Sequence, residues 1–115
     1  MTITKVKEAI KGEILNLHHD AERIALTGCG SDLMSDVLAF MKERGVLLTG
    51  LMNPQVVRTA EMMDICAIVF VRGKKPDESI VELATEKNII LLTTNYSLFT
   101  ACGKLWEAGL RGIHK

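Results

Sequence analysis

The sequence predicts an α/β fold: a mostly parallel central sheet of four to five strands with helices on both faces, in a single compact domain. Two observations carry this prediction. The same pattern occurs four times: a short apolar run, then a turn of small residues, then a segment with helical periodicity. Within each run the apolar residues are consecutive and do not alternate with polar ones. Continuous runs are typical of parallel strands covered on both faces. Their alternation with helices implies right-handed crossovers between strands.

Four strand–helix units are predicted over residues 23–110. The predicted strands are 23–27, 46–49, 67–71 and 89–93. The predicted helices that follow them are 32–43, 54–63, 76–87 and 96–109. The strands recur roughly every 22 residues, close to the shortest length of a strand plus a crossover helix.

Residues 1–22 precede the repeated units. They contain a predicted short helix at 4–11 and an apolar segment at 13–17 that can add an edge strand. No linker or low-complexity tract divides the chain, so residues 1–115 are predicted to form one domain.

The residues at the predicted helix boundaries support this interpretation. Asn53-Pro54 is an N-cap followed by proline at the first helical position, where its missing N–H costs little. Pro76 is predicted to begin the next helix, with two carboxylates in the first turn at the positive end of the helix dipole. Gly45 follows a charged segment and is predicted to cap the C-terminus of the helix before it.

Composition restricts the classes of function. Fourteen basic and fourteen acidic side chains cancel, which argues against a nucleic-acid binder that relies on bulk charge. No apolar run is long enough to span a membrane, and residues 1–12 lack the apolar block of a signal peptide. Three widely spaced cysteines without a C-x-x-C pair fit free thiols in a reducing compartment, so a cytoplasmic location is expected. No metal or cofactor is predicted.

If the four strands are parallel, the turns after them gather at one edge of the sheet. Open α/β sheets bind ligands outside the carboxyl ends of their strands, and helix N-termini at that edge favour anions. The residues predicted to line such a pocket are Gly28, Gly30, Ser31, Asn53, Arg72, Lys74, Lys75, Asn95 and Tyr96.

Gly28-Cys29-Gly30 looks at first like a phosphate-binding loop between a strand and a helix. A dinucleotide motif needs a third glycine where Leu33 stands, and a P-loop needs a lysine before Lys42. Both fingerprints fail. We interpret the segment mainly as a structural turn and only secondarily as a contact for a ligand, with Ser31 as the cap of the following helix.

The turn after the third strand has a stronger electrostatic case. Arg72, Lys74 and Lys75 concentrate three positive charges just before a helix N-terminus, where a phosphate or carboxylate would gain from charge and dipole together. The alternative interpretation is a solvated basic turn without a ligand.

Candidate catalytic and metal-binding residues are sparse. Cys29 lies near a predicted helix start, which can lower the pKa of a thiol, but no base accompanies it. His18-His19-Asp20 lacks further ligands at supporting spacing. Met52 and the Met62-Met63 pair indicate self-association, because methionine is common at adaptable contacts.

Part of this pattern is similar to a known family. The segment AIVFVRGKKPDESIVELATEKNIILLTTNYSLFTA resembles the latter part of DRTGG domains, and SDLMSDVLAF with GVLLTG resembles the preceding unit of stand-alone members. The resemblance covers roughly residues 24–110. The string Asp-Arg-Thr-Gly-Gly is absent, and the matching region reads Gly50-Leu51-Met52-Asn53-Pro54. Any role of that Asp or Arg therefore cannot be transferred.

The resemblance implies an α/β regulatory or dimerising module without catalysis of its own. Such domains occur between CBS domains of some pyrophosphatases and beside phosphotransacetylases, and they resemble the N-terminal domain of HPr kinase/phosphorylase. The leading hypothesis is therefore a non-catalytic cytoplasmic homodimer that senses a small anionic ligand, such as an adenine nucleotide or a phosphorylated metabolite. The alternatives are a pure interaction domain that docks onto a metabolic enzyme, and an enzyme that uses Cys29.

Overall fold

A computed structural model describes residues 1–41 and 44–112. It confirms the predicted fold class: a five-stranded, mostly parallel sheet with helices on both faces. The strands are β1 (Glu13–Ile14), β2 (Thr27–Gly30), β3 (Gly45–Thr49), β4 (Ala67–Phe70) and β5 (Ile90–Thr93). The helices are α1 (Ile3–Ala9), α2 (Met34–Phe40), α3 (Pro54–Met62), α4 (Glu78–Glu86) and α5 (Leu98–Glu107), with a 3₁₀ turn at His18–Asp20.

The strands lie in the order β1-β5-β4-β3-β2. β2, β3, β4 and β5 are parallel and follow one another across the sheet in chain order. β1 pairs antiparallel with β5, so β1 and β2 form the two edges of the sheet. An edge strand was predicted in the apolar segment at 13–17, where β1 lies.

The continuous apolar strands are explained by two packed faces. The side chain of Leu47 packs on the face of the sheet that α2, α3 and α4 cover. The side chains of its neighbours Val46 and Leu48 pack on the opposite face, which α1 and α5 cover. Right-handed crossovers between strands in sequential order keep α2, α3 and α4 together on one face. Each fully buried strand side chain contributes about 1.5–3 kcal/mol to folding.

Side-chain caps begin most of the helices. Asn53 caps α3 and Pro54 is its first residue, as predicted. α4 begins at Glu78 rather than at residue 76, because the carboxylate of Asp77 accepts the N–H of Ile80 at 3.1 Å. α5 likewise begins at Leu98 rather than at residue 96, since Ser97 is its cap.

Helices α1, α3, α4 and α5 all end in the same motif. A residue with positive φ follows each C-cap, and the N–H of the next residue returns to a carbonyl in the last turn. The positive-φ residues are Lys11, Asp64, Asn88 and Gly109. Arg44, with φ 50°, takes this conformation before β3, so the prediction of Gly45 as a helix cap is wrong. Gly45 is a buried strand residue whose missing side chain makes room for Met41.

The largest error of the sequence analysis concerns β2. The predicted strand at 23–27 is displaced, and Gly28, Cys29 and Gly30 form the strand itself, paired with Val46, Leu47 and Leu48. They are not a turn. The predicted helix at 32–43 runs only from Met34 to Phe40, and its predicted last two positions, 42 and 43, lie outside the described residues.

Candidate ligand-binding rim

The carboxyl ends of the four parallel strands lie at one edge of the sheet, as the sequence predicted. We call this edge the rim; it consists of the loops at residues 31–33, 50–53, 71–77 and 94–97. The loop after β4 leads to α4 on one face, whereas the loop after β5 leads to α5 on the other. Diverging loops of neighbouring strands are the arrangement that opens a ligand crevice in α/β sheets.

The loops after β4 and β5 are joined by hydrogen bonds. The N–H of Arg72 donates to the carbonyl of Tyr96 at 2.8 Å, and the N–H of Gly73 donates to the carbonyl of Thr94 at 2.7 Å. The hydroxyl of Thr93 donates to the carbonyl of Lys74 at 2.7 Å. These three bonds hold the basic turn against the end of β5.

Gly50, at the end of β3, is the centre of a charged cluster. The carboxylate of Asp32 accepts hydrogen bonds from the N–H of Gly50 at 2.7 Å and from the hydroxyl of Thr49 at 3.0 Å. The ammonium of Lys74 donates to the carbonyl of Gly50 at 3.1 Å. A Cβ on Gly50 would lie 2.9 Å from Nη2 of Arg72 and 3.5 Å from both carboxylate oxygens of Asp32. The missing side chain therefore provides the space in which the guanidinium and the carboxylate approach each other.

The surroundings of Asp32 favour its charged form. The hydrogen bond from Gly50 lowers the pKa of this carboxyl most, and the Thr49 hydroxyl and the charges of Arg72 and Lys74 lower it further against a desolvation cost. The cluster thus carries one negative and two positive charges at neutral pH. Asp32 and Arg72 are exposed and Lys74 is half-buried, so a dissolved anion can reach them.

The structure brings Arg72 and Lys74 together but leaves Lys75 apart from them. The ammonium of Lys75 lies 3.5 Å from the carboxylate of Glu13, which is at the β1 edge, and both side chains are exposed. Asn53 is occupied as the cap of α3, since its side-chain oxygen accepts the N–H of Val56 at 3.3 Å.

The other two predicted residues after β5 differ in exposure. Asn95 is exposed, and its side-chain oxygen would lie 2.9 Å from a Cβ on Gly73. Tyr96 packs partly into the core between the sheet and α5.

Gly28 and Gly30 do not line the rim as turn residues, because both lie within β2, where Gly28 faces the segment after α5 and Gly30 faces α5. A Cβ on Gly28 would lie 2.9 Å from Leu110, and one on Gly30 would lie 2.5 Å from the sulfur of Cys102. Their role in the structure is close helix–strand packing. Ser31 is at the rim, but it is not the cap of α2: its hydroxyl accepts the N–H of Leu33 at 3.0 Å, and Leu33 is the N-cap residue, without a side-chain bond.

Comparisons with known proteins identify the family. Curated protein sequences gave no significant match. The family model of the DRTGG domain matches residues 5–108. The chain belongs to the DRTGG family.

The fold of this DRTGG domain is similar to that of one solved structure in particular. This is the crystal structure of the CBS and DRTGG domains of the regulatory region of Clostridium perfringens pyrophosphatase, complexed with the activator diadenosine tetraphosphate. The TM-score is 0.75 at 17% sequence identity, over 90% of this chain and 45% of that chain. The chain thus spans less than half the length of its neighbour, and at this identity the likeness establishes the fold.

Cys29 lacks the environment of a nucleophile in this DRTGG domain. Burial raises the pKa of its thiol, and the nearby carboxylate of Asp36 raises it further. The expected lowering by a helix start is wrong because Cys29 lies inside β2, and the helix begins later, at Met34. Burial also raises the pKa of Cys66 and of Cys102. All three thiols are therefore protonated at neutral pH, the unreactive form.

The histidine pair lies at the 3₁₀ turn, away from the rim. Nε2 of His18 lies 2.9 Å from the carbonyl of Ile14, and His19 lies 3.5 Å from Asp20. Within residues 1–41 and 44–112, no three histidine, cysteine, aspartate or glutamate side chains are grouped so as to hold a metal ion. Over the same residues, the helices are too short or too polar to cross a bilayer.

Asp32, Thr49 and Gly50 are the rim residues that sequence reasoning missed. Thr49 ends a predicted apolar run and Gly50 follows it, which is the signal that placed the other rim residues, whereas Asp32 stands at the predicted start of a helix. No local pattern shows that the loop after β2 reaches the loop after β3, because their contact depends on the pairing of the two strands.

Proposed function

We propose that this DRTGG domain is a non-catalytic regulatory module that senses a small anionic ligand, such as an adenine nucleotide, at the rim beside Gly50. The supporting observation is the arrangement of Arg72 and Lys74 around the carboxylate of Asp32. A site that holds a carboxylate by a backbone N–H and a hydroxyl, with two cations near enough to lower its pKa, also suits a phosphate oxygen. The ligand's phosphate would compete with Asp32 for the two cations.

This competition offers a way to transmit binding. Asp32 lies between β2 and α2, and its bonds to Gly50 and Thr49 tie that connection to the end of β3. When a phosphate draws Arg72 and Lys74 away, the tie weakens and the loop at 31–33 becomes free to move. Leu33 in this loop is 57% exposed, so its movement would alter a surface that a partner protein can contact.

The nucleotide class is suggested by the structural neighbour, whose regulatory region is complexed with diadenosine tetraphosphate as an activator. Only the chemistry of that activator, adenine groups joined by phosphates, is carried over to this chain. Three half-buried free thiols fit a module that acts in the reducing cytoplasm.

The test is a thermal-shift series with diadenosine tetraphosphate, ATP, AMP, orthophosphate and uncharged adenosine. We expect the polyphosphates to raise the melting temperature and adenosine to leave it unchanged. The double variant Arg72→Gln/Lys74→Gln should lose the shift, measured from its own melting temperature. Its matched control is Lys5→Gln/Lys7→Gln, which also removes two positive charges, but from α1, outside the rim loops. This control should keep the shift.

Asp32→Asn provides a second arm with the opposite sign. Removal of the competing negative charge should tighten polyphosphate binding about threefold to tenfold. A full shift in Arg72→Gln/Lys74→Gln would show that the rim is not the site. The absence of any shift in the unmodified chain would reject anion sensing as the function.

A second candidate function is assembly, as a homodimer or by docking onto a partner enzyme. The observation that favours it is a set of large apolar side chains in the described residues that are exposed to solvent. Phe99 is 89% exposed, Met62 is 72% exposed and Met52 is 37% exposed. Sedimentation at high micromolar concentration tests self-association: we expect a dimer that Met62→Lys or Phe99→Lys dissociates. A monomer at that concentration would leave only the partner enzyme.

A further inference from the structure

An apolar cavity of about 370 Å³ lies beside β2, away from the charged cluster at Gly50. It is open on one side to solvent and is lined by β2, the end of α2, the second half of α5 and the segment that follows α5. Small-molecule sites in proteins typically begin at roughly 300 Å³, so this cavity is large enough for a compact ligand. Its lining residues include Gly28, Gly30, Phe40, Leu105, Trp106 and Leu110.

Two aromatic rings stand at the cavity without being buried by the protein. Phe40 at the end of α2 is 57% exposed, and Trp106 on α5 is 50% exposed. About half of the surface of each ring is therefore open to solvent. Large apolar groups that line a cavity and stay exposed are typical of ligand-binding surfaces.

Among the described residues that line the cavity, Arg111 carries the one formal charge. Its guanidinium carbon lies 4.0 Å from the centre of the Trp106 ring. Its Nη1 donates to the carbonyls of Trp106 at 2.7 Å and of Leu110 at 3.1 Å, which fixes the group in place. Both bonds use one terminal nitrogen, and the other two nitrogens of a guanidinium carry three further N–H donors.

The thiols of Cys29 and Cys102 also line the cavity, and both are half-buried. They add polarizable, weakly polar surface rather than charge. The lining that the structure describes therefore combines an apolar interior with a single fixed cation, which complements a ligand with an apolar body and a single anionic group.

We propose that this cavity binds a small carboxylic acid with an apolar body, with its carboxylate at Arg111 and its carbon chain or ring between Phe40 and Trp106. A polyphosphate does not suit it, because one cation cannot offset several charges next to an apolar wall. This site is independent of the anion site proposed at the rim, so either proposal can fail without the other.

Octanoate is a suitable probe, because it does not absorb where tryptophan does, and 1-octanol is its uncharged counterpart. Trp106 is the only tryptophan in the chain, so its fluorescence reports directly on this cavity. We expect a saturable change in fluorescence with octanoate and about tenfold weaker binding of octanol. Arg111→Gln should lower the affinity for octanoate to that for octanol and leave the affinity for octanol unchanged.

Alkylation of the three thiols by iodoacetamide at about pH 8.5 gives a second readout. Octanoate should protect Cys29 and Cys102 several-fold, whereas Cys66, which lines a different cavity at the amino ends of the strands, should react at the same rate with and without it. Arg111→Gln should abolish this protection.

Four outcomes would overturn the proposal. Equal binding of octanoate and octanol would remove the role of Arg111, and equal protection of all three thiols would place the probe elsewhere. Trp106 fluorescence that depends on protein concentration without probe would mean that a second copy covers the cavity. Protection of Cys29 and Cys102 that persists in Arg111→Gln would also remove the role of Arg111.

Discussion

The carboxylate of Asp32 accepts a hydrogen bond from the backbone N–H of Gly50 at 2.7 Å, which ties the end of β2 to the end of β3. β2 is an edge strand, and its other neighbour is the segment after α5, where Gly28 donates to the carbonyl of Arg111 at 3.0 Å. The bond from Gly50 therefore secures the less supported side of the sheet and at the same time positions a carboxylate near Arg72 and Lys74.

Replacement of Asp32 tests how much this tie contributes to stability. Asp32→Ala should lower the free energy of unfolding by about 1 kcal/mol, because Gly50 loses a charged acceptor at a solvent-exposed site. Asp32→Asn keeps an oxygen acceptor and should cost less. Urea unfolding of both variants measures the difference, and equal losses would mean that the charge, rather than the hydrogen bond, is what matters.

The same carboxyl predicts the direction of a pH effect. Its pKa is lower in the folded chain than in the unfolded chain, so its stabilisation is complete above the unfolded value of about 4 and is lost as pH falls through the folded value. Unfolding measured from pH 6 down to pH 2 should show a shallower acid-induced loss in Asp32→Asn than in the unmodified chain. Identical slopes would contradict this assignment.

Gly30 is expected to be intolerant of a side chain. A Cβ there would lie 2.5 Å from the sulfur of Cys102 and 3.3 Å from Leu98, so Gly30→Ala should destabilise the chain by about 1–3 kcal/mol through overpacking. The double variant Gly30→Ala/Cys102→Ala should recover part of that loss, measured as a coupling energy in a double-mutant cycle.

Gly103 provides the control for this prediction. It lies on α5 next to Cys102, and a Cβ there would meet nothing within 4 Å. Gly103→Ala should therefore stabilise the chain by about 0.5–1 kcal/mol, as expected for an open helical position. Similar losses for the two alanine variants would show that close packing against β2 is not the cause.

Beyond the end of β1, the side chain of Asn16 makes hydrogen bonds to the backbone of Ile89 and Leu91. Its amide accepts the N–H of Leu91 at 2.7 Å and donates to the carbonyl of Ile89 at 3.1 Å and to the hydroxyl of Thr85 at 3.0 Å. Asn16→Ala should cost about 2–3 kcal/mol, since a buried N–H and a buried carbonyl would lose their partners. Thr85→Ala should cost less in the same urea series, because it removes the part-buried bond from Asn16 and the exposed bond from the Thr85 hydroxyl to the carbonyl of Val81 but leaves both backbone bonds of Asn16 in place.

Glycine at the C-terminal ends of two helices is expected to stabilise the folded chain. Lys11 and Asp64 are exposed and have φ 48° and 53°, a conformation that glycine adopts without strain. Lys11→Gly and Asp64→Gly should each raise the free energy of unfolding by about 0.5–1 kcal/mol. Asn88→Gly should gain little, because the side chain of Asn88 also accepts a hydrogen bond from Arg23 at 2.9 Å.

Much of the fold was predictable because its signals are local. Continuous apolar runs predicted the buried strands β3, β4 and β5 to within a residue or two, and Asn53-Pro54 predicted the start of α3. β2 was misplaced because its glycines resemble a turn when only neighbouring residues are considered. Their conformation is set by pairing with β3 and by the approach of α5.

The candidate site was predictable only in part. The positive charges of Arg72 and Lys74 are visible in the sequence, and parallel strands predict that their loop lies beside other loops. Neither observation separates Lys75, which pairs with Glu13, from the other two cations. Asp32 was missed because its partners are Thr49 and Gly50 on the next strand.

The sequence by itself determined the alternation of strands and helices, the parallel direction of the four repeated strands and the start of α3. These features depend on the period of apolar residues and on caps that contact neighbours a few residues away. The tertiary structure alone decided that Gly28 and Gly30 are strand residues, that Asp32 joins Gly50, and that a cavity opens beside Trp106. The physical reason is that each of these depends on atoms that are distant in the chain and meet only when the sheet and its two helical layers pack.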